Sequence, residues 1–334
     1  MRIAIAGASG LLGTALAEAL SEGERSGIGA DPGGKAAHRV IRLVRRAPTG
    51  PGERQWDPAA GSIDGPGAGL DDVDAVVVLS GAGIGDRPWT SGYRREILTS
   101  RVDSVRTAAQ AMARASASDR PIDGAEPPSS EGRDGRRPRT LLVPSAVGIY
   151  GAERGDEELT EDSPLGDDFL ARVCRLTERA AESARTVGVR VVALRTGIVL
   201  SNAGGYLGLQ GLLYRAGLGG PISGGAQWLS WITRADHVRA MRHLLLDSDV
   251  EGPVDVTAPG AVRQRDFARA YAASLHRPAI LPLPAGLLAP VLGPDMVTEV
   301  VRAGQRVAPR RLLADGFAFR HPELADALAW LPTE

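Results

Sequence analysis

Cysteine occurs once in the 334 residues, at Cys174. A single thiol excludes an internal disulfide framework and suits a reducing compartment, so a cytoplasmic location is expected. Cys174 falls in a helical stretch and reads as a small buried residue rather than a nucleophile. Lysine is as scarce: Lys35 is the only one, and arginine supplies the rest of the 39 basic residues. Against them stand 40 acidic residues, and a net charge of −1 argues against nucleic acid as a partner. No uninterrupted apolar run approaches the ~20 residues that a membrane-spanning helix needs. The chain opens directly into a strand, so no signal peptide is expected. His38, His237, His243, His276 and His321 are scattered, without cysteine or carboxylate at metal-ligand spacing, which speaks against a metal site.

What is present is an alternation of strand-like and helix-like segments through the first two hundred residues. That order predicts an α/β fold, a doubly wound parallel sheet covered on both faces. Strands are expected at Arg2–Ala6, Arg39–Val44, Arg54–Trp56, Ala75–Leu79, Thr140–Val143 and Arg190–Arg195, with helices at Leu11–Leu20, Gly92–Ala115 and Asp168–Val187. Later come a helix at Asp236–Leu246, a strand at Val254–Thr257 and a helix at Gln264–Leu275, before a Pro-punctuated helical tail from Leu281 to Trp330. Gly23–Ala37 and Ser116–Pro138 carry almost no apolar periodicity and read as flexible surface insertions. The expected division is a Rossmann domain over 1–200, joined by about 233–258, and a smaller C-terminal α+β substrate lobe over 201–232 and 259–334. Ligands of open α/β sheets bind beyond the carboxyl ends of the strands, so the later segments should supply substrate contacts.

The first strand runs into Gly7-Ala8-Ser9-Gly10-Leu11-Leu12-Gly13 and then a helix. Gly7 permits the tight turn, Gly10 lets backbone approach a pyrophosphate, and Gly13 lets helix pack closely on strand. The helix then aims free N–H groups and its positive end at the phosphates. Gly7, Ser9, Gly10, Leu11 and Leu12 are the candidate residues. The second strand ends in Val44-Arg45-Arg46, where an acidic residue would hold a ribose hydroxyl. Arginine there complements a 2′-phosphate instead, which favours NADP(H) over NAD(H). Strand four ends in Leu79-Ser80-Gly81, a small-residue turn over which a cofactor can cross the sheet. Thr90 or Ser91 can cap the following helix, on which Glu96 and Arg101 read first as an ordinary surface pair.

The fifth strand ends in Pro144-Ser145-Ala146-Val147-Gly148-Ile149-Tyr150-Gly151. With the opening glycine turn, this resembles the extended short-chain dehydrogenase/reductase superfamily. Trp89-Thr90, Ser100-Arg101, Asp168-Phe169-Leu170, Arg195 to Leu200, Gly217 to Gly220, Gln227 to Ile232 and Gly304 to Val307 narrow the resemblance. It is to an atypical branch, the epimerase family of unknown substrate with a C-terminal domain of unknown function. The resemblance implies that Arg45, Leu79, Ser80, Glu96, Arg101 and Val199 line an NADP site.

One departure carries weight. Superfamily oxidoreductases use Tyr-x-x-x-Lys, in which the cation lowers the phenol pKa. Here the corresponding helix begins Asp168-Phe169-Leu170-Ala171-Arg172-Val173, so the phenol and the cation are replaced by Phe169 and Val173. The usual catalytic hydroxyl position falls on Ala146, one residue after Ser145. Tyr150 and Ser145 remain as candidates for the proton, although Tyr150 also reads as a wall residue. Gln227 to Trp231 brings two indoles and an amide that suit a flat ligand, though tryptophan is commonly core; Asp236 reads as a helix cap. The leading expectation is an NADP(H)-dependent oxidoreductase or epimerase-like enzyme acting on a small-molecule carbonyl or alcohol, with a homodimer left open. The alternative is a non-catalytic NADP(H)-binding redox sensor or regulatory protein.

Overall fold

The computed structural model describes residues 1–21, 38–65, 69–118, 139–279, 281–282 and 284–334. The expected insertion Gly23–Ala37 lies outside the described residues, as does the second from 119 onward. Ser116–Ser118 finish a helix instead.

In chain order the first part forms β1 (Arg2–Ala6), α1 (Leu11–Ser21), β2 (Arg39–Val44), β3 (Glu53–Asp57), β4 (Ser62–Ile63) and β5 (Ala75–Val78). The long helix α2 (Ser91–Ser118) leads to β6 (Thr140–Ala146), a 3-10 turn at Val147–Tyr150, and β7 (Glu153–Leu159). Next come α3 (Phe169–Arg179), α4 (Glu182–Arg185), β8 (Arg190–Thr196), β9 (Ile198–Leu200) and α5 (Gly205–Arg215). Then follow β10 (Trp228–Leu229), β11 (Trp231–Thr233), α6 (Arg234–Leu246), β12 (Gly252–Val256), β13 (Val262–Arg263) and α7 (Gln264–Ser274). The last part holds α8 (Ala289–Leu292), α9 (Pro294–Met296), a π-helical turn at Val297–Val301, β14 (Gly304–Val307), α10 (Arg310–Ala314) and α11 (Leu324–Trp330).

Eight strands make one sheet in the order β12-β8-β6-β5-β1-β2-β3-β4. Strand β1 lies between β2 and β5, parallel to both, with Ala6 opposite Leu43 on one side and Val78 on the other. Strands β2 and β3, and β5 and β6, also pair in parallel, and the short β4 runs antiparallel to β3. The sheet is the mostly parallel, Rossmann-like one that the alternation predicts. Two expectations change in detail. The helix expected over Asp168–Val187 is interrupted after Arg179, and the tail expected to be helical contains β14, paired in parallel with β7.

The described chain divides into two compact units. The first comprises Met1–Gly81, Thr99–Val143 and Thr177–Val192. Strand β5 is buried at every position, as a central parallel strand covered on both faces must be. Gly13, Leu16, Ala17 and Leu20 are the buried residues of α1; their i, i+3, i+4, i+7 spacing is the stripe of a helix laid on a sheet.

The second unit comprises Ala82–Leu98, Pro144–Leu176 and Ala193–Glu334. One core of this unit gathers Trp231, Phe267, Tyr214, Tyr271, Leu229 and Leu328. Thr233 caps α6 by accepting the Asp236 N–H, so Asp236 is not the cap that the sequence suggests. The buried Asp236 carboxylate instead receives the N–H groups of Arg320 and His321.

One turn into α6, His237 is fully buried, with Nε2 3.0 Å from Thr196 Oγ1 and no hydrogen-bond partner for Nδ1 among the described residues. Burial disfavours the imidazolium and lowers its pKa to about 4. The unfolded chain, with histidine near 6.5, therefore binds more protons than the native state between these values. The stability due to keeping His237 neutral is complete above pH 6.5 and is lost as pH falls to about 4. Denaturant unfolding across that window is expected to show a loss on the order of 3 kcal/mol that His237→Asn removes; equal pH dependence in the two proteins contradicts the assignment.

Candidate functional site

Within the first unit, three glycines shape the junction of β1 and α1. Gly7 has φ +83°, and a Cβ on it would lie 2.8 Å from the Leu79 carbonyl carbon and 2.9 Å from the Ser80 nitrogen. The β1 turn therefore presses on the end of β5, and Leu79 N–H donates to the Ala6 carbonyl at 2.8 Å. At Gly13 a Cβ would stand 2.1 Å from the Gly7 oxygen, so helix and turn meet at a distance that excludes any side chain. Gly10 differs. It is exposed, and a Cβ there would meet only the Gly7 oxygen, at 3.4 Å. The missing side chain at Gly10 leaves open the space in front of the turn.

That space faces a helix terminus suited to anions. Thr14 N–H is bonded to the Gly10 carbonyl, while the N–H groups of Leu11, Leu12 and Gly13 precede it at the amino end. No acidic residue lies in the first turn of α1, so its positive end is not neutralised from within. Ser9 is exposed, and Leu11 and Leu12 are half-buried. Across the turn, Ser80 Oγ donates to Ser104 Oγ at 3.1 Å. The Arg101 side chain covers Gly81, whose Cβ would lie 2.9 Å from Arg101 Cγ.

The two arginines after β2 have separate fates. Arg46 forks onto both oxygens of Glu53, at 2.7 and 2.8 Å, and holds that carboxyl at about pKa 2 with help from Thr49 N–H. Arg45 is exposed and makes no hydrogen bond or ion pair among the described residues.

The second unit carries the other candidates. Ser145 is half-buried near the end of β6. Val199 is half-buried in β9, opposite Ile232 of β11. Glu96 is exposed on α2, 3.8 Å from Arg87. Thr90 caps α2 by accepting the Tyr93 N–H. Trp231 is fully buried and donates to the Gly260 carbonyl, while Trp228 is half-buried with the guanidinium groups of Arg263 and Arg306 4.2 and 5.0 Å from its ring centre.

Tyr150 is fully buried. Its hydroxyl lies 2.8 Å from both carboxylate oxygens of Asp255 and accepts an N–H from Arg195 at 3.1 Å. Arg195 also donates to the Glu161 carbonyl, and the Glu161 carboxylate receives the N–H groups of Asp255 and Arg311. Burial first, and the Asp255 charge second, push the phenol well above its ordinary value despite Arg195. A phenol so placed holds its proton throughout the neutral range. The partners Asp255, Arg195 and Glu161 escape sequence reasoning; the one available signal is an acid inside the apolar run Val254-Asp255-Val256. No group of three or more potential metal ligands occurs among the described residues, and none of the described helices is long and apolar enough to cross a membrane.

Residues 3–256 match the NAD dependent epimerase/dehydratase family, and residues 283–331 match a domain of unknown function, DUF1731. The chain belongs to the NAD dependent epimerase/dehydratase family. It is 35% identical over 331 residues to an epimerase family protein of Mycobacterium bovis, covering 99% of this chain and 97% of that protein. The crystal structure of human epimerase family protein SDR39U1 with NADPH is similar over 100% of both chains, with 31% identity and a TM-score of 0.80. A nucleoside-diphosphate sugar epimerase from Corynebacterium glutamicum is similar at 30% identity and a TM-score of 0.71, over 99% of this chain and 57% of that one.

Replacing Tyr150 by Phe leaves the Asp255 carboxylate and the Arg195 guanidinium in the core without the hydroxyl between them. Tyr150→Phe is expected to lower the unfolding free energy by about 1–3 kcal/mol in denaturant titration. A variant as stable as the parent contradicts a structural role for this hydroxyl.

Proposed function

We propose that the chain binds NADP(H) at the amino end of α1 and uses it to transfer hydride to or from a small carbonyl or alcohol. The observation that carries this reading is the glycine junction. Two of its glycines are required by close contacts within the chain, whereas Gly10 opens outward beside uncompensated helix N–H groups. A diphosphate fits that cradle: Gly7, Ser9, Gly10, Leu11 and Leu12 would hold it, and Leu79, Ser80 and Arg101 would border it. The likeness to the human protein crystallised with NADPH supports the same reading. When bound, the nicotinamide supplies the hydride.

Arg45 is the residue we assign to the 2′-phosphate. Its guanidinium is uncommitted, whereas that of Arg46 is spent on Glu53. Glu96 and Val199 are assigned to the nucleotide by family resemblance alone. Ser145 is assigned to orient the substrate oxygen through its hydroxyl. Tyr150 is assigned to the fold, since its buried and doubly engaged hydroxyl is poorly placed to exchange protons with a substrate. The competing reading, a non-catalytic NADP(H) sensor, draws on the same absence of a Tyr-x-x-x-Lys pair.

Calorimetric titration tests the assignment. Arg45→Asp is expected to weaken NADPH by roughly 10- to 100-fold and NADH by less than about threefold, while Arg46→Ala leaves the preference intact. Equal losses for both coenzymes overturn the role of Arg45. The absence of heat or thermal stabilisation with either coenzyme overturns the whole reading.

A further inference from the structure

The loop that carries Arg45 is tied down from the strand beyond it. Strands β2 and β3 lie side by side and parallel, with Arg42 opposite Glu53 and Val44 opposite Gln55. A parallel connection normally takes a dozen or more residues and a helix. Here residues 45–52 make it without a helix, so the chain leaves β2, reverses and returns within a short span. One side chain closes that reversal. Glu53, the half-buried first residue of β3, accepts both prongs of the Arg46 guanidinium, at 2.7 and 2.8 Å. Its Oε2 also accepts the Thr49 N–H at 2.8 Å and the Thr49 hydroxyl at 2.9 Å. The Glu53 N–H donates to the Gly50 carbonyl at 3.1 Å, and Arg46 donates besides to the Ala47 carbonyl at 2.9 Å.

We propose that Glu53 is a positioning residue for coenzyme choice: by gathering Arg46 and Thr49 it fixes the loop from which Arg45 meets a 2′-phosphate. The inference rests on the NADP(H)-binding reading above and names the residue that enforces its preference. Strand register places the loop beside the cradle. Ala6, the last residue of β1, lies opposite Leu43 of β2, and Gly7 begins the turn that follows. Arg45 comes two residues after Leu43, so Arg45 and the glycine turn leave the same end of two neighbouring strands.

Order in this loop matters because Arg45 has no anchor of its own. An arginine on a loose loop gives up backbone and side-chain freedom when it captures an anion, which weakens the contact. A loop ordered before binding avoids that loss. Charge alone makes the opposite demand. Glu53 keeps its negative charge throughout the neutral range, since Arg46 and Thr49 hold its carboxyl at about pKa 2. Removing it deletes an anion near the proposed phosphate site and releases the Arg46 cation, and both changes attract a phosphate. If Glu53 positions Arg45, the same substitution repels NADPH in effect, because the guanidinium is no longer presented. The two accounts demand opposite signs.

Calorimetric titration of the full chain reads the sign. The probes are adenosine 2′,5′-bisphosphate and 5′-AMP, which differ by the 2′-phosphate alone, alongside NADPH and NADH. Wild type is compared with Glu53→Ala, with Glu53→Gln, and with Glu53→Ala combined with Arg46→Ala. In Glu53→Ala the preference for the 2′-phosphorylated member of each pair is expected to fall roughly 3- to 10-fold. Glu53→Gln, which keeps one oxygen for the Thr49 N–H, should fall less and in the same direction. The double variant has no released guanidinium and should fall at least as far as Glu53→Ala. Arg46→Ala alone retains the preference, because Thr49 keeps both its bonds to Glu53. Without ligand, amide hydrogen exchange at Thr49 should quicken in Glu53→Ala.

A preference that is unchanged or increased in Glu53→Ala overturns this inference and leaves the NADP(H) reading standing. Equal weakening of both members of a pair also overturns it, since a general loss of structure does not distinguish them. A wild type that binds both members equally overturns the role of Arg45, and this inference with it. Binding of none of the four ligands by wild type overturns the nucleotide reading as a whole. Should Glu53→Ala fail to fold, the sign of the change in Glu53→Gln decides.

Discussion

The amino end of α1 rests on the turn leaving β1 at a separation that only glycine permits. Because a Cβ at Gly13 would fall 2.1 Å from the Gly7 oxygen, α1 cannot be lifted from the turn by even one methyl group. Gly7 is pressed in turn against the backbone at Leu79 and Ser80, so β1, β5 and α1 share one contact point. Close packing of this kind transmits displacement with little loss. The buried stripe Gly13, Leu16, Ala17 and Leu20 is anchored there and takes its rotation from it. The open side of Gly10 is thus a consequence of the fold, set by neighbours packed too closely to admit a side chain.

Charge is managed around this point by commitment rather than by number. The chain holds nearly equal acids and bases, so a local surplus arises only where one partner is withheld. At the end of β2, Glu53 takes Arg46 and leaves Arg45 over. At α1 the first turn omits an acid altogether. Elsewhere buried charges are heavily engaged: Asp236 collects two backbone N–H groups and Arg239, and Glu161 collects two more N–H groups. Such groups are costly to bury alone and tolerable when every lone pair has a donor.

The glycine junction was legible because its signal is local: seven residues contain the turn, the approach and the packing contact. Strands β1 and β2 were legible to the residue: β1 is an apolar run after Arg2, and β2 buries Ile41 and Leu43 while the intervening Arg42 faces out. What escaped was non-local. Strand β7, Glu153–Leu159, has four acids in seven residues and no apolar alternation; it is a strand because β14 pairs with it across about 150 residues. The break between α3 and α4 is likewise hidden, because its alanines are good helix formers. Tyr150 drew a catalytic reading from its place beyond a strand end. Its true neighbour Asp255 is 105 residues away, and no spacing rule reaches that far.

Tyr150 and Glu299 show how one second unit treats two protic groups in opposite ways. Both lose solvent, and for both that loss favours the protonated form. For a phenol the shift leads away from neutral pH, and the Asp255 carboxylate 2.8 Å from the hydroxyl adds to it; the group becomes a permanent donor inside the core. For the Glu299 carboxyl the same loss raises a pKa that starts below neutral, and the Leu170 and Phe169 N–H groups hold part of it back. The difference lies in the starting pKa of each residue type, above neutral for a phenol and below it for a carboxyl.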